Sequence, residues 1–271
     1  MKPITIRVLT AALLLAVFVP AVLWAPAWLW AALMAGLIGV AAHEWARLSH
    51  FPPLTARAYA GLLALVALAL PLLAADWPSY QTALILLAIG FWLIVAPLWL
   101  LGRWQVAQPF LRAAVGVVVL LPTFAALLYL HARGPGVLLG VMAIVWIADT
   151  AAFFAGRQFG RHKLAPAISP GKTWEGFAGG LAGSLGASLL VRHFFLPEQS
   201  LLWTGLIVLL LGCLGAAGDL SESVIKRAFG VKDSGSLLPG HGGLLDRIDS
   251  LLLTAPVLYY LLYFGTGLCL M

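Results

Sequence analysis

Charge is what this chain has least of. Asp, Glu, Lys and Arg make up only 10% of its 271 residues and hydrophobic residues 62%, where soluble domains carry about 25% and about 45–50%. So little polar surface cannot cover a water-facing exterior, which excludes an ordinary soluble globular protein. The mean hydropathy of +1.01 excludes disorder, which needs low hydrophobicity and high charge. Cysteine is nearly absent. Cys213 and Cys269 both sit in apolar runs, make no disulfide framework or zinc spacing, and read as packing residues. His43, His50, His131, His162 and His193 lie near expected helix ends without metal-ligand spacing. The net charge is +6, but no basic stretch is long enough to track a nucleic-acid backbone, so no nucleic-acid partner is expected.

What is present is apolar sequence in long runs. They fall near 8–24, 27–42, 58–75, 80–101, 113–131, 135–156, 174–195, 201–219 and 250–270. Barrel strands would alternate over short segments. These runs are continuously apolar, so the expected fold is all-α: a polytopic integral membrane helical bundle of about nine transmembrane helices, each needing about 20 residues. Residues 1–271 read as a single membrane domain. Its N-terminal spans cover about 8–131, and its catalytic part covers about 135–271. The run after Arg7 has features of a signal peptide, but its length and the apolar sequence that follows favour a retained helix. Trp24, Trp28 and Trp30 suit an interfacial belt.

Orientation follows from the basic residues. With the N-terminus inside and alternating helices, 14 of the 16 Lys and Arg fall on the cytoplasmic side, and only Arg133 and Arg192 fall outside. The positive-inside rule therefore places the N-terminus and the long loops 157–173 and 220–249 in the cytoplasm and the C-terminus outside.

The chemistry concentrates in those loops. Five of the ten acidic residues, Asp219, Glu222, Asp233, Asp246 and Asp249, lie within 219–249. Asp149 sits inside an expected span, where an ionisable side chain is a functional candidate. On a continuing helix Asp219, Glu222, Ser223 and Lys226 share one face. The segment Gly240-His241-Gly242-Gly243 permits close backbone approach, and its N–H groups suit an anion-binding nest. Asp246 and Asp249 open the last helix and, with Asp219, make a three-carboxylate oxygen site suited to a hard cation such as Mg²⁺. The other loop ends Ser169-Pro170-Gly171-Lys172-Thr173. A P-loop is rejected there, because Pro166 stands where its first glycine belongs and no strand is expected before it. Lys172, at a helix start, still suits a phosphate, and 157–173 is expected to pack beside 219–249.

The segment Ser223-Val-Ile-Lys226-Arg227-Ala-Phe-Gly-Val-Lys232-Asp233-Ser-Gly-Ser-Leu-Leu-Pro239-Gly-His241-Gly-Gly-Leu-Leu-Asp246-Arg247-Ile-Asp249 resembles the signature of phosphatidate cytidylyltransferases, also called CDP-diacylglycerol synthases. Asp149-Thr150 through Gly160, and Ser169 through Gly176, also look like that family. The resemblance covers 140–255 in motifs and the remainder in hydropathy. It implies transfer of CMP from CTP to phosphatidic acid by a helical protein of the inner membrane, with a cytoplasm-facing site and a homodimeric assembly. It implies Asp219 and Asp246 as Mg²⁺ ligands with Asp249 close by, and Lys172, Ser223, Lys226, Arg227, Lys232, His241 and Arg247 near phosphates. Phosphoryl transfer relies on positioning and charge neutralisation, so one or two divalent ions and these cations suffice without a nucleophilic side chain. A transporter would suit Asp149 and Asp219, but no repeated half is visible. A CTP-dependent lipid-alcohol kinase is a related alternative that would release CDP rather than pyrophosphate. A CDP-alcohol phosphotransferase is disfavoured, since only the spacing of Asp246 and Asp249 matches its pattern.

Overall fold

The computed structural model describes residues 3–69, 77–102, 108–166, 168–195, 200–231, 234–235 and 242–264. Lys232 and His241 lie outside the described residues. Among the described residues the chain forms α1 (Pro3–Trp24), α2 (Ala27–Leu48), α3 (Pro53–Ala69) and α4 (Trp77–Gly90). A π turn at Phe91–Val95 carries α4 into α5 (Ala96–Gly102). Then come α6 (Pro109–Arg133), α7 (Pro135–Phe159), α8 (Trp174–Phe195), α9 (Leu201–Ala228) and α10 (Leu245–Phe264). With α4 and α5 continuous, these are nine rods. Five helices are long and apolar enough by themselves to cross a bilayer, and Pro53–Ala69 is apolar but shorter. The chain is a multi-pass helical membrane protein.

Two expectations need correction. The span expected to close at Asp219 continues as α9 to Ala228. It stops at a Schellman turn: Gly230 takes φ 80° and Val231 N–H donates to Lys226 O at 3.0 Å. Residues 220–228 are therefore helix, and the connection to α10 is shorter than the loop 220–249 expected. Loop 157–173 contains an antiparallel hairpin, β1 (Lys163–Ala165) with β2 (Ser169–Thr173). Lys172 thus stands on a strand instead of a helix start. The hairpin is fixed by Glu175 in the first turn of α8, which accepts from the N–H groups of Arg161 and His162 and meets His162 Nδ1 at 2.6 Å. Thr173 caps α8 by accepting Gly176 N–H at 3.1 Å.

Polar contacts tie matching helix ends together. At one end His50 Nε2 donates to Phe229 O at 3.2 Å and Trp45 Nε1 to Arg112 O at 2.8 Å. At the other, His131 Nε2 donates to Val22 O at 3.0 Å and stacks on Trp30 with ring centroids 4.6 Å apart. The α2–α3 turn, the start of α6 and the end of α9 therefore share one end, and the α1–α2 turn and the end of α6 share the opposite one. This is the alternation expected of successive spans.

Small residues set the closest helix pair. A Cβ on Gly180 would lie 3.1 Å from Ala148 O and one on Gly176 3.0 Å from Ala152 O. Backbones approach this closely only where side chains are minimal, and the approach carries Asp149 and the hairpin to the same end of the bundle. In the core, Pro256 inside α10 has no N–H to give Leu252 O. Trp92 Nε1 donates to that carbonyl at 3.0 Å, so the buried acceptor stays satisfied; Thr123 Oγ1 lies 3.3 Å away but makes its shorter bond, 2.8 Å, to Val119 O.

Candidate active site

The site lies where α9 and α10 meet the hairpin. Gly218 makes the meeting possible, since a Cβ there would stand 2.9 Å from Asp249 O. One residue later, Asp219 Oδ2 lies 2.5 Å from Lys172 Nζ. Ser223 Oγ, one turn along, donates weakly to Asp219 Oδ1 at 3.5 Å. Arg227 Nε reaches Ile168 O at 3.5 Å and Arg227 also donates to Val231 O at 3.2 Å, so this guanidinium ties α9 to the hairpin. Loop 157–173 packs beside α9, as expected from the sequence.

Lys226 is placed differently from expectation. Its ammonium is nearly buried, 2.7 Å from Glu222 Oε2 and 2.7 Å from Asp246 Oδ1. It bridges two carboxylates of the protein. Asp246 is equally committed: it also accepts from Ser234 N–H at 3.2 Å and Gly243 N–H at 3.0 Å. Gly242, at φ 81°, turns the chain so tightly that a Cβ would lie 2.7 Å from Asp246 Oδ2. Asp246 and Asp249, paired in the sequence reading, thus have different surroundings. Asp246 anchors the loop, while Asp249 faces the charges of Asp219, Glu222 and Asp149.

Gly240 and His241 lie outside the described residues, and several described amides around the glycine-rich segment bond to the protein's own carboxylates. Ser234 N–H and Gly243 N–H go to Asp246, while Leu244 N–H and Leu245 N–H go to Glu44, each at 2.9 Å. Two protein carboxylates, buried Glu44 and nearly buried Asp246, thus take four of these amides.

Asp149 joins the cluster from α7. Its Oδ2 accepts from Ser250 Oγ at 3.4 Å, and it feels the charges of Asp219, Lys172 and Arg247. Asp149, Asp219 and Asp249 therefore set three carboxylates against one close ammonium, an excess of negative charge with only oxygen donors. Among the described residues no three His, Cys, Asp or Glu side chains close to ligand spacing. Mg²⁺ does not need such a cage, because it commonly takes one or two carboxylates and completes its shell with water and substrate phosphate. The donor set fits a hard divalent cation.

Sequence reasoning gave Asp149 no role and missed Glu44, Glu175 and Ser250. A signal existed for Glu44. It is the first acidic residue of the chain and lies in an apolar helix, where a carboxylate is costly without partners.

The family model of the cytidylyltransferase family matches residues 5–264. A phosphatidate cytidylyltransferase of Pseudomonas aeruginosa is 39% identical over 277 residues, covering 95% of this chain and 96% of that protein. One from Staphylococcus haemolyticus is 37% identical over 262 residues, covering 95% and 98%. One from Haemophilus influenzae is 41% identical over 171 residues, covering 58% and 59%. With the match running nearly end to end over the bundle and the carboxylate cluster, the chain belongs to the cytidylyltransferase family.

Proposed function

We propose that this chain transfers CMP from CTP to phosphatidic acid, giving CDP-diacylglycerol and pyrophosphate. The observation that carries the reading is the meeting of Asp149, Asp219 and Asp249 with Lys172 at the bundle end where α9 closes and α10 begins. A lipid phosphate stays at the interface while CTP arrives from water, so the shared site must lie at a helix-end boundary. The printed name of the relatives is the second support.

In the reaction an oxygen of the lipid phosphate attacks the α-phosphorus of CTP. The bond from that phosphorus to its bridging oxygen breaks, and pyrophosphate leaves. No side chain need act as nucleophile. Asp219 and Asp249 are the residues that would hold Mg²⁺, with Asp149 beside them and Asp246 supporting through Lys226. When bound, Mg²⁺ supplies charge neutralisation on the phosphates. Lys172 can exchange its contact with Asp219 for one with a phosphate, lowering the cost of bringing two anions together. Ser223 and Arg247 flank this position, and Lys232 and His241 belong to the same reading. Arg227 serves it by holding the hairpin.

The inner membrane, a cytoplasmic N-terminus and site, an external C-terminus and a homodimeric assembly complete the proposal. The distribution of 14 of 16 basic residues supports the orientation. The assay is purified protein in detergent with labelled CTP, phosphatidic acid and Mg²⁺. A CDP-lipid with stoichiometric pyrophosphate is expected; release of CDP instead would identify a lipid kinase. Reporter fusions near residue 165 should read cytoplasmic and fusions after residue 271 external, and the reverse would refute the orientation.

A further inference from the structure

We propose that Glu44 is a positioning residue for the reaction: from α2 it holds the first turn of α10 so that Asp249 faces Asp219. The inference rests on the reading that α9 and α10 carry the active site. It adds that the N-terminal half of the chain sets the geometry of that site.

Glu44 is only 7% exposed. Its Oε1 accepts Leu244 N–H at 2.9 Å, and its Oε2 accepts Leu245 N–H at 2.9 Å and Ser234 Oγ–H at 3.3 Å. No ion pair to Glu44 is formed among the described residues. The compensating charge is the positive end of α10, whose first amides lack intrahelical acceptors. The surrounding chain is shaped to this carboxylate. A Cβ on Gly235 would lie 3.0 Å from Glu44 Oε1 and one on Gly243 2.6 Å from Glu44 Oε2. Just after Glu44, at the same end of α2, Trp45 packs edge-on against Phe229 at 6.2 Å between ring centroids, and Arg47 O accepts His50 N–H at 3.0 Å. The α2 end therefore grips both the exit from α9 and the entry to α10.

Glu44 touches amides and one hydroxyl behind α10. Its effect on turnover must therefore run through the placement of α10, and that gives a distinctive ranking of variants. The three donors engage both oxygens, one on Oε1 and two on Oε2. Glu44→Gln would set an NH₂ against a donor and lose the charge that the helix end stabilises. Glu44→Asp keeps two acceptor oxygens and the charge on a shorter stem. A group that merely filled space would be replaced well by Gln and badly by Asp; positioning demands the opposite order.

The test uses full-length protein in detergent with CTP, phosphatidic acid and Mg²⁺. Amide hydrogen exchange is followed in parallel without substrate or metal. Glu44→Gln and Glu44→Ala should lower kcat on the order of 10²-fold, as small misplacements of reacting groups do. Glu44→Asp should recover part of it. Exchange at Leu244 and Leu245 should accelerate in the Gln and Ala variants while α7 and α8 stay protected. Ser234→Ala, which removes one donor and leaves the charge, covers the case where Glu44 variants do not fold. It should produce the same local acceleration with a several-fold loss of kcat. Gln turnover at the wild-type level, or exchange at 244–245 unchanged in the Ala, Gln and Ser234 variants, overturns the proposal. Because exchange is read without substrate, it remains decisive even if the wild-type chain makes no CDP-lipid, an outcome that would instead refute the function.

Discussion

Lys172 on the hairpin and Asp219 on α9 form an ion pair at 2.5 Å, with both side chains only partly exposed. The pair joins the two regions richest in polar motifs and sets an ammonium at the edge of three carboxylates. Neutralising Lys172 should lower kcat/KM on the order of 10²-fold, the scale of losing one charge-stabilising donor in a transition state. Lys172→Ala should change thermal stability little, since ion pairs still open to solvent contribute little to folding. A Lys172→Ala enzyme with wild-type kcat/KM for CTP would show that the lysine serves topology alone.

The approach of α9 to α10 gives a second expectation. A Cβ on Gly218 would stand 2.9 Å from Asp249 O and 3.4 Å from Leu253 Cβ. Gly218→Ala should push Asp219 and Asp249 apart and cut turnover on the order of 10²-fold for a displacement of about 1 Å. Gly215 is the control, because a Cβ there meets Ser250 Cβ only at an ordinary 3.7 Å. Equal loss in Gly215→Ala and Gly218→Ala would attribute the effect to helix destabilisation in general.

The contrast between these residues shows how far sequence could lead. Long apolar runs fixed the helices, because a bilayer leaves the backbone few alternatives. The end of α9 was misjudged because Asp219 looks like the limit of a span. The physical stop is Gly230, whose positive φ satisfies the last carbonyls. The hairpin was hidden by strands of three and five residues with Pro166 between and Pro170 within. Asp246 and Asp249 seemed equivalent at i, i+3. On a helix that spacing leaves them about 60° apart, enough to turn one towards Lys226 and the other towards Asp219. Glu44 meets its partners across 200 residues, a separation that no local pattern encodes.

The core offers a test of backbone satisfaction. Trp92 Nε1 donates to Leu252 O, which Pro256 leaves without a helical partner. Trp92→Phe should cost about 1–3 kcal/mol, the price of an under-satisfied buried acceptor, read as a lower Tm in detergent. In a Pro256→Ala background the restored N–H can bond to Leu252 O, so the same substitution should cost less. Equal losses in the two backgrounds would mean that Trp92 contributes packing and not the hydrogen bond.

Lys226 separates the two roles that sequence and structure assign it. The sequence reading makes it a phosphate contact. In the structure its ammonium lies 2.7 Å from both Glu222 and Asp246, whose side chains are 2% and 10% exposed. Lys226→Met keeps the length of the side chain and removes the charge. Two nearly buried carboxylates would then face each other uncompensated, and breaking a buried ion pair in this way costs about 3–5 kcal/mol. The expected result is a large fall in Tm, with loosening of the loop that Asp246 anchors through Ser234 and Gly243. Glu222→Gln added to Lys226→Met removes one of the stranded charges and should recover part of the lost Tm without restoring turnover, because Asp246 still lacks its cation. A phosphate-contact role makes the opposite forecast: an unchanged Tm, a raised KM for CTP, and no rescue by Glu222→Gln. Thermal unfolding and KM measured on the same three proteins decide between a lysine that binds substrate and one that holds the site together.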